Sequence, residues 1–254
     1  MKSVIYETKG RAREFSELAL NHYQGCGHGC VYCYGPDVTH SDPEEFKHHP
    51  RQRVTADEVE ESAWAYQKAG ETRPVLLSFV TDPYQPLDVE LKFTREVIEI
   101  LHRHNLRVTI LTKGGKRSLR DFDLLEPGDA YATTLTLLDA DESRIWEPLA
   151  APPDERIETL RIARAMGIPT WVSLEPVIYP ADTFELIERT HTFVSHYKVG
   201  KMNYHPRNLE IDWQSFAREV IDILERFQCT YYIKKDLAWY LGKDKGFWRG
   251  RIGE

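Results

Sequence analysis

Cysteine is scarce in this chain of 254 residues: there are four, and three of them, Cys26, Cys30 and Cys33, fall within eight residues of one another. Bridges across so short a span would close only tiny loops, which argues against the disulfide framework of a small secreted protein. Long apolar runs are missing as well. No stretch reaches the 18 or so residues that a membrane helix needs, and the opening MKSVIYETKGRAREF has no continuous apolar core of a secretory signal. The expectation is a protein with no membrane partner and a cytoplasmic location. Basic charge is not in excess either. Thirty-three Lys and Arg stand against forty Asp and Glu, a formal net charge of −7, so a polynucleotide partner would need a local patch.

No internal repeat, low-complexity tract or linker breaks the sequence, and 41% hydrophobic content over this length suffices for one substantial core. One domain is expected over residues 1–254, with a short N-terminal extension (about 1–16) and a basic aromatic C-terminal tail (about 234–254). Short apolar runs alternate with amphipathic segments, the pattern of repeated βα units around a parallel sheet. Strands are expected at 18–23, 75–80, 107–111, 130–137, 170–174, 192–199 and 231–233. Thr55 with Glu58 forms a capping-box pattern for a helix ending at Gly70, and Asp154 opens a helix that ends before Gly167. Asp212 opens a third, whose Trp213, Phe216, Val220, Ile221, Leu224 and Phe227 recur at helical spacing. The fold class is therefore α/β, a full or partial barrel, taken here as a partial barrel of six or so strands. In such folds the site lies where the strands end, which directs attention to Asn21, Gln24, Thr81, Asp82, Thr112, Lys113, Thr136, Ser173, Glu175, Lys198, Lys201 and Lys234.

The three clustered cysteines have the spacing C-x3-C-x2-C and follow the first strand, in Gly25-Cys26-Gly27-His28-Gly29-Cys30-Val31-Tyr32-Cys33-Tyr34. Four-iron clusters are usually held by four cysteines; with three, one iron keeps an open position for a small chelating molecule. Three cysteines plus His28 or His22 could instead close a tetrahedral zinc site, although zinc ribbons usually present two paired knuckles.

The stretch NHYQGCGHGCVYCYGPDVTH (residues 21–40) resembles the cluster loop of the radical S-adenosylmethionine (SAM) superfamily, and in particular its spore photoproduct lyase-like branch. Similarity continues through TDPYQPLDVELKFTREVIEIL, LTKGGKRSLRDFDLL, LTLLDADESRIWEPLAAPPDERIETLRIARAMGIPT and SLEPVIYP, covering roughly residues 21–180. The resemblance implies a TIM-like partial (β/α)6 barrel, a [4Fe-4S] cluster on Cys26, Cys30 and Cys33, and SAM on the open iron. One electron, from a donor such as a flavodoxin or ferredoxin, would cleave SAM to methionine and a 5′-deoxyadenosyl radical that takes hydrogen from substrate. It implies further that Tyr32 packs against adenine, with Tyr34 following it, that Thr81 and Asp82 receive the methionine end, and that Lys113 reaches the SAM carboxylate; Ser78 is a neighbouring candidate. Thr134 and Thr136, alternating on one strand, would meet ribose or carboxylate or fill the barrel. Ser173 and Glu175 are likewise two apart, and an acid there must be paired, with ribose hydroxyls, Lys198 or Lys201 as partners.

Spore photoproduct lyases carry a hydrogen-donor cysteine near the end of the second strand, and Ser78-Phe79-Val80-Thr81-Asp82 contains none. Cys229 is the one remaining thiol, and Tyr34, Lys201 and Cys229 stand as the catalytic candidates. Six basic residues against two acidic ones, interleaved with Trp239, Tyr240, Phe247 and Trp248, fill residues 234–251. That tail reads either as a helix capping the barrel mouth or as a surface for phosphate contacts and base stacking. The expected function is a radical SAM enzyme, lyase-like, acting on a nucleobase, nucleoside or DNA. The alternatives are the same chemistry on a peptide or small metabolite, and a zinc-stabilised binding module without catalysis.

Overall fold

A computed structural model describes residues 3–250; Met1, Lys2 and residues 251–254, Arg251 of the basic tail among them, lie outside the described residues. Strand β1 (Ile5–Glu7) pairs antiparallel with β2 (Leu18–Leu20), and two-residue strands β3 (Tyr23–Gln24) and β4 (Arg51–Gln52) form a separate small sheet. From β2 the main sheet runs parallel through β5 (Val75–Leu77), β6 (Val108–Thr112), β7 (Ala130–Thr134), β8 (Thr170–Leu174), β9 (His196–Val199) and β10 (Thr230–Ile233). An antiparallel edge strand, β11 (Phe247–Arg249), closes the order on β10. Among the described residues seven parallel strands carry the barrel, in keeping with the six or so expected. β2 and β10 do not pair, so the barrel is partial.

The parallel strands are short apolar runs because helices cover their outer side and side chains fill the inside. Helices Ala56–Lys68, Phe93–Arg103, Pro153–Ala165, Pro180–Thr190 and Trp213–Arg226 supply that cover. Thr55 accepts from the Glu58 amide while Glu58 reaches back to the Thr55 amide, so the capping box forms as the sequence indicated. Asp212 caps Trp213–Arg226 through the Gln214 and Ser215 amides, both at 3.1 Å. That helix buries Trp213, Phe216, Ala217, Val220, Ile223 and Leu224. At about 1.5–3 kcal/mol per large apolar side chain removed from water, this face alone contributes on the order of 10 kcal/mol. Ile223 takes the buried place expected of Ile221, because a straight 3.6-residue helix turns Ile221 to the border of the stripe.

Several boundaries differ from the sequence reading: β2 ends at Leu20 rather than at residue 23, β6 runs one residue later than expected, and β9 starts at His196 rather than at residue 192. Pro153 starts its helix with Pro152 as the N-cap, so Asp154 lies inside the first turn, where its charge suits the helix dipole. β5 stops at Leu77 because Ser78 takes φ 60°, a left-handed conformation no strand accommodates. β7 stops at Thr134, so Thr136 does not share its face. The C-terminal tail forms a short helix, Lys235–Ala238, a 3-10 turn, Trp239–Leu241, and β11, rather than one capping helix.

Candidate active site

The loop after β2 folds on glycine. Gly25 takes φ 78°, and a Cβ there would sit 2.7 Å from the Phe46 carbonyl oxygen, a clash only glycine avoids. The Cys26 amide donates to that same carbonyl at 2.8 Å. All three clustered cysteines are free thiols and line one cavity of about 630 Å³ at the C-terminal ends of the strands. Burial raises all three thiols above their ordinary range, Cys30 to about 12. Left to themselves they are neutral; coordination to a metal deprotonates such thiols outright.

Two histidines beside the thiols are already committed. His28 Nε2 accepts from Arg117 Nη2 at 3.2 Å, and its Nδ1 lies 3.4 Å from Asp82 Oδ2. Burial, against the pull of Asp82, lowers its pKa to about 4, which keeps the ring neutral. His22 contacts Thr94 Oγ1 at 2.9 Å through Nε2 and Ser78 Oγ at 3.3 Å through Nδ1. Neither ring has a free nitrogen for a fourth position. Among the described residues no group of three or more His, Cys, Asp or Glu converges on a single ion, as a mononuclear zinc site requires.

Asp82 organises the mouth of β6. Its carboxylate accepts from Thr112 Oγ1 at 2.6 Å, the Lys113 amide at 2.7 Å and the Tyr84 amide at 2.8 Å. Against the penalty of burial, His28 and then these donors hold its carboxyl below the usual range. With His28 as a further contact, Asp82 ties the cysteine loop to the ends of β5 and β6. Thr81 beside it differs: its hydroxyl is buried, has no hydrogen-bond partner among the described residues, and lines the cavity. An orphaned buried hydroxyl is costly unless a ligand bonds it.

A buried pair that the sequence reading missed lies beneath the loop. Arg156 and Glu147 are each 1% exposed and form an ion pair; Tyr32 Oη and Thr136 Oγ1 both donate to Glu147, the latter at 2.9 Å. Arg156 also donates to the Thr134 carbonyl at 3.1 Å and the Ala151 carbonyl. Burial works against the Glu147 charge, yet Arg156 and Lys113 hold its pKa at about 2. The segment around Glu147 grips the cysteine loop through its backbone, with Val31 N to Trp146 O at 2.9 Å and Leu149 N to His28 O at 3.1 Å. Lys113 Nζ lies 5.6 Å from the centre of the Tyr32 ring and faces the same cavity.

Tyr32, Tyr34, Ser78, Thr81, Asp82, Lys113, Thr134, Ser173, Glu175 and Lys201 all line the cavity; Thr136 and Cys229 are not among its lining residues. Tyr34 Oη donates to the Phe79 carbonyl at 3.2 Å. Glu175 pairs with Lys234 rather than with Lys198 or Lys201, the lysines expected from sequence. Lys198 instead donates to the carbonyls of Glu14, at 3.0 Å, and Phe15, at 2.7 Å. The other wall comes from the N-terminal segment, whose Tyr6, Glu7, Lys9, Arg11, Ala12 and Phe15 face inward. No sequence signal marked that wall, since residues 1–16 lack periodicity.

A parallel partial barrel with three free thiols around a strand-end cavity defines a protein built to hold a metal cluster and a small molecule together. Residues 20–194 match the Radical SAM superfamily, and the chain belongs to that family. The cofactors of the family are a [4Fe-4S] cluster and SAM. An uncharacterised protein of Methanocaldococcus jannaschii is 23% identical over 241 residues, 88% of each chain. Another, from Acidianus two-tailed virus, is 27% identical over 194 residues, 70% of this chain and 62% of that one. Among solved structures, spore photoproduct lyase with bound SAM and dinucleoside spore photoproduct superposes with a TM-score of 0.65 at 17% identity, over 87% of this chain and 75% of that one. Streptococcus suis SuiB bound to SAM gives 0.62 at 11% identity, over 85% of this chain and 46% of that one. These likenesses show a shared fold.

Proposed function

We propose that this protein is a radical SAM enzyme acting on a nucleobase-containing substrate, with the cluster on Cys26, Cys30 and Cys33. The observation that carries the reading is the single cavity shared by three free thiols, the orphaned Thr81 hydroxyl and a wall of aromatic rings, Tyr6, Phe15, Tyr34 and Phe79. About 630 Å³ is within the range of roughly 300–1,000 Å³ that small-molecule sites occupy, and flat rings suit a purine or pyrimidine face. When bound, the cluster and SAM supply one-electron cleavage to a deoxyadenosyl radical.

The chain's own groups then orient and enclose. Thr81 and Lys113 reach into the cavity as donor and cation for the amino-acid end of SAM. Tyr32 presents its ring, fixed at the hydroxyl by Glu147. Thr134 and Ser173 offer hydroxyls on adjacent strands for ribose. Asp82, its oxygens already filled by protein donors, positions Lys113 and the cysteine loop rather than binding the methionine ammonium itself. Tyr34, inside the cavity, is the candidate that can pass a hydrogen atom to a product radical; Cys229, whose Sγ lies 3.9 Å from the Phe227 carbonyl oxygen, is outside it.

The test is 5′-deoxyadenosine formed by anaerobically reconstituted protein with SAM and reductant, with and without plain or ultraviolet-irradiated DNA. Formation that Cys30→Ala abolishes and one DNA raises is the expected result. A Cys30-dependent yield indifferent to every nucleic-acid sample would overturn the substrate class.

A further inference from the structure

Lys201 stands at a junction. It lines the thiol-bearing cavity and also a second groove of about 280 Å³, which shares Arg11, Lys201 and Asn203 with it. Its side chain belongs to a residue only 9% exposed, and among the described residues its ammonium has no hydrogen-bond or ion-pair partner; the faces of Trp213, 5.5 Å away, and Tyr240, 5.9 Å away, are what it meets. An ammonium taken out of water without a carboxylate is costly, and an incoming anion removes that cost. Asp236, the carboxylate whose charge acts on Lys201, is itself paired with Arg11 at 2.8 Å, and two further carboxylates of the cavity are paired, Glu175 with Lys234 and Glu7 with Arg73 at 3.0 Å.

The groove beyond Lys201 continues the same chemistry. Lys235 and Lys243 line it without ion-pair partners among the described residues, against one unpaired carboxylate, Asp244. In a protein of net charge −7 this is a local reversal of sign. Flat rings accompany the cations. Trp239, in the groove, is 67% exposed with Tyr240 packed edge-on at 5.2 Å, and Tyr204, on the cavity side, is 70% exposed with its hydroxyl accepting from Arg11 at 2.9 Å. Cations alternating with exposed ring faces fit a sugar–phosphate backbone with unstacked bases; an acidic peptide would use the cations and leave the rings idle.

We propose that the throat at Lys201 is a phosphate subsite, and that the groove takes the nucleotide flanking a reactive base held in the thiol-lined cavity. The inference rests on the nucleobase reading above and specifies it: the substrate is a single-stranded or flipped-out segment with at least one phosphate beyond the reacting unit.

Fluorescence anisotropy of a labelled single-stranded DNA of about five nucleotides, titrated into cluster-reconstituted protein with SAM at about 50 to 200 mM salt, reads the subsite. Lys201→Gln is expected to weaken binding about tenfold and to lower the slope of log affinity against log salt by about 0.7, the value for one phosphate of a single strand. Lys201→Arg should keep both, Trp239→Ala should weaken binding with the slope unchanged, and the exposed remote Lys92→Gln should change neither. Melting separates this from misfolding: Lys201→Met should melt at least as high as the wild type without DNA, while the wild type gains more stability than the variant when DNA is added. DNA that binds equally to Lys201→Gln, with an unchanged slope, overturns the subsite even where DNA stimulates deoxyadenosine formation. A hexaglutamate peptide that binds through Lys201 while DNA neither binds nor stimulates overturns both the subsite and the nucleobase reading.

Discussion

At the scale of single residues, the most consequential contact lies outside the thiols: the Glu147–Arg156 pair that holds Tyr32 and Thr136. Both charges are out of water, so each is worth keeping only while the other is present. Glu147→Gln and Arg156→Met are each expected to destabilise the apoprotein by about 3–5 kcal/mol, because each strands a buried charge. Denaturant unfolding of the two single variants and the double one checks this. The double variant should lose less than the sum, and simple additivity would show that the two do not act as a pair. Tyr32→Phe, which removes one hydrogen bond to a charged group, should cost only about 1.5–3 kcal/mol. The pair was readable in part. Arg156, Ile157, Leu160 and Ala163 fall on one helical stripe, all buried, and a charged residue on an apolar stripe announces a buried partner. The identity of that partner was hidden because Glu147 sits in an irregular segment, Trp146 to Ala151, with no periodicity to place it. Cys26, Cys30, Cys33, Thr81 and Lys113 were legible as neighbours because strand ends and thiol spacing converge on one mouth, and Tyr32 through the family resemblance; Thr136 was misplaced because alternation was carried two residues past the end of β7.

Elements were more legible than their ends. All seven expected strands form, and residues 170–174 match to the residue, since apolar runs bounded by glycine, proline and charge leave little choice. Some of the errors lie where a tertiary contact overrides local pattern. Ser78 is one, its left-handed backbone held while Asn21 Oδ1 accepts from the Phe79 amide at 2.8 Å and the Val80 amide at 3.2 Å. That turn puts Thr81 and Asp82 over the cavity instead of leaving them on a strand. Helix ends, by contrast, obey local chemistry. Thr55→Ala removes a hydroxyl that satisfies the Glu58 amide at 3.2 Å, and about 1 kcal/mol of stability should go with it. Because Thr55 is exposed and takes no part in the cavity, cluster content and SAM affinity of that variant, measured by absorbance and equilibrium dialysis, should match the wild type. A loss of SAM affinity would mean that helix Ala56–Lys68 communicates with the cavity through its position.

For the whole molecule, the open side of the barrel is the organising fact. β2 and β10 do not meet, and the N-terminal segment spans the gap between them. Phe15 packs against Phe79 at 5.5 Å and Trp171 at 6.5 Å, with Lys234 Nζ 3.8 Å from its ring centre. Glu14 Oε1 accepts from Tyr232 Oη at 3.0 Å and the Lys235 amide at 2.7 Å. Lys198, 6% exposed, completes the attachment from β9 through the Glu14 and Phe15 carbonyls, with Trp171 4.8 Å and Trp248 5.7 Å from its ammonium. Burial, reinforced by the Lys234 ammonium and opposed by Glu14, pulls its pKa from 10.5 to about 7. His196 beside it, stacked on Trp171, is itself lowered to about 3 by burial, so it adds no charge of its own near neutrality. Since the folded pKa lies below the unfolded one, between pH 7 and 10.5 the unfolded chain holds the extra proton, and unfolding becomes harder as pH rises. Relative to Lys198→Met, the wild type should gain stability across that window, at up to about 1.4 kcal/mol per pH unit. Parallel unfolding free energies for the two proteins from pH 7 to 10 would show that the ammonium stays charged against its carbonyls and rings. The strap would then be held to the barrel by a permanent cation, whereas the predicted gain would mark it as held by a lysine that sheds its proton just above neutrality.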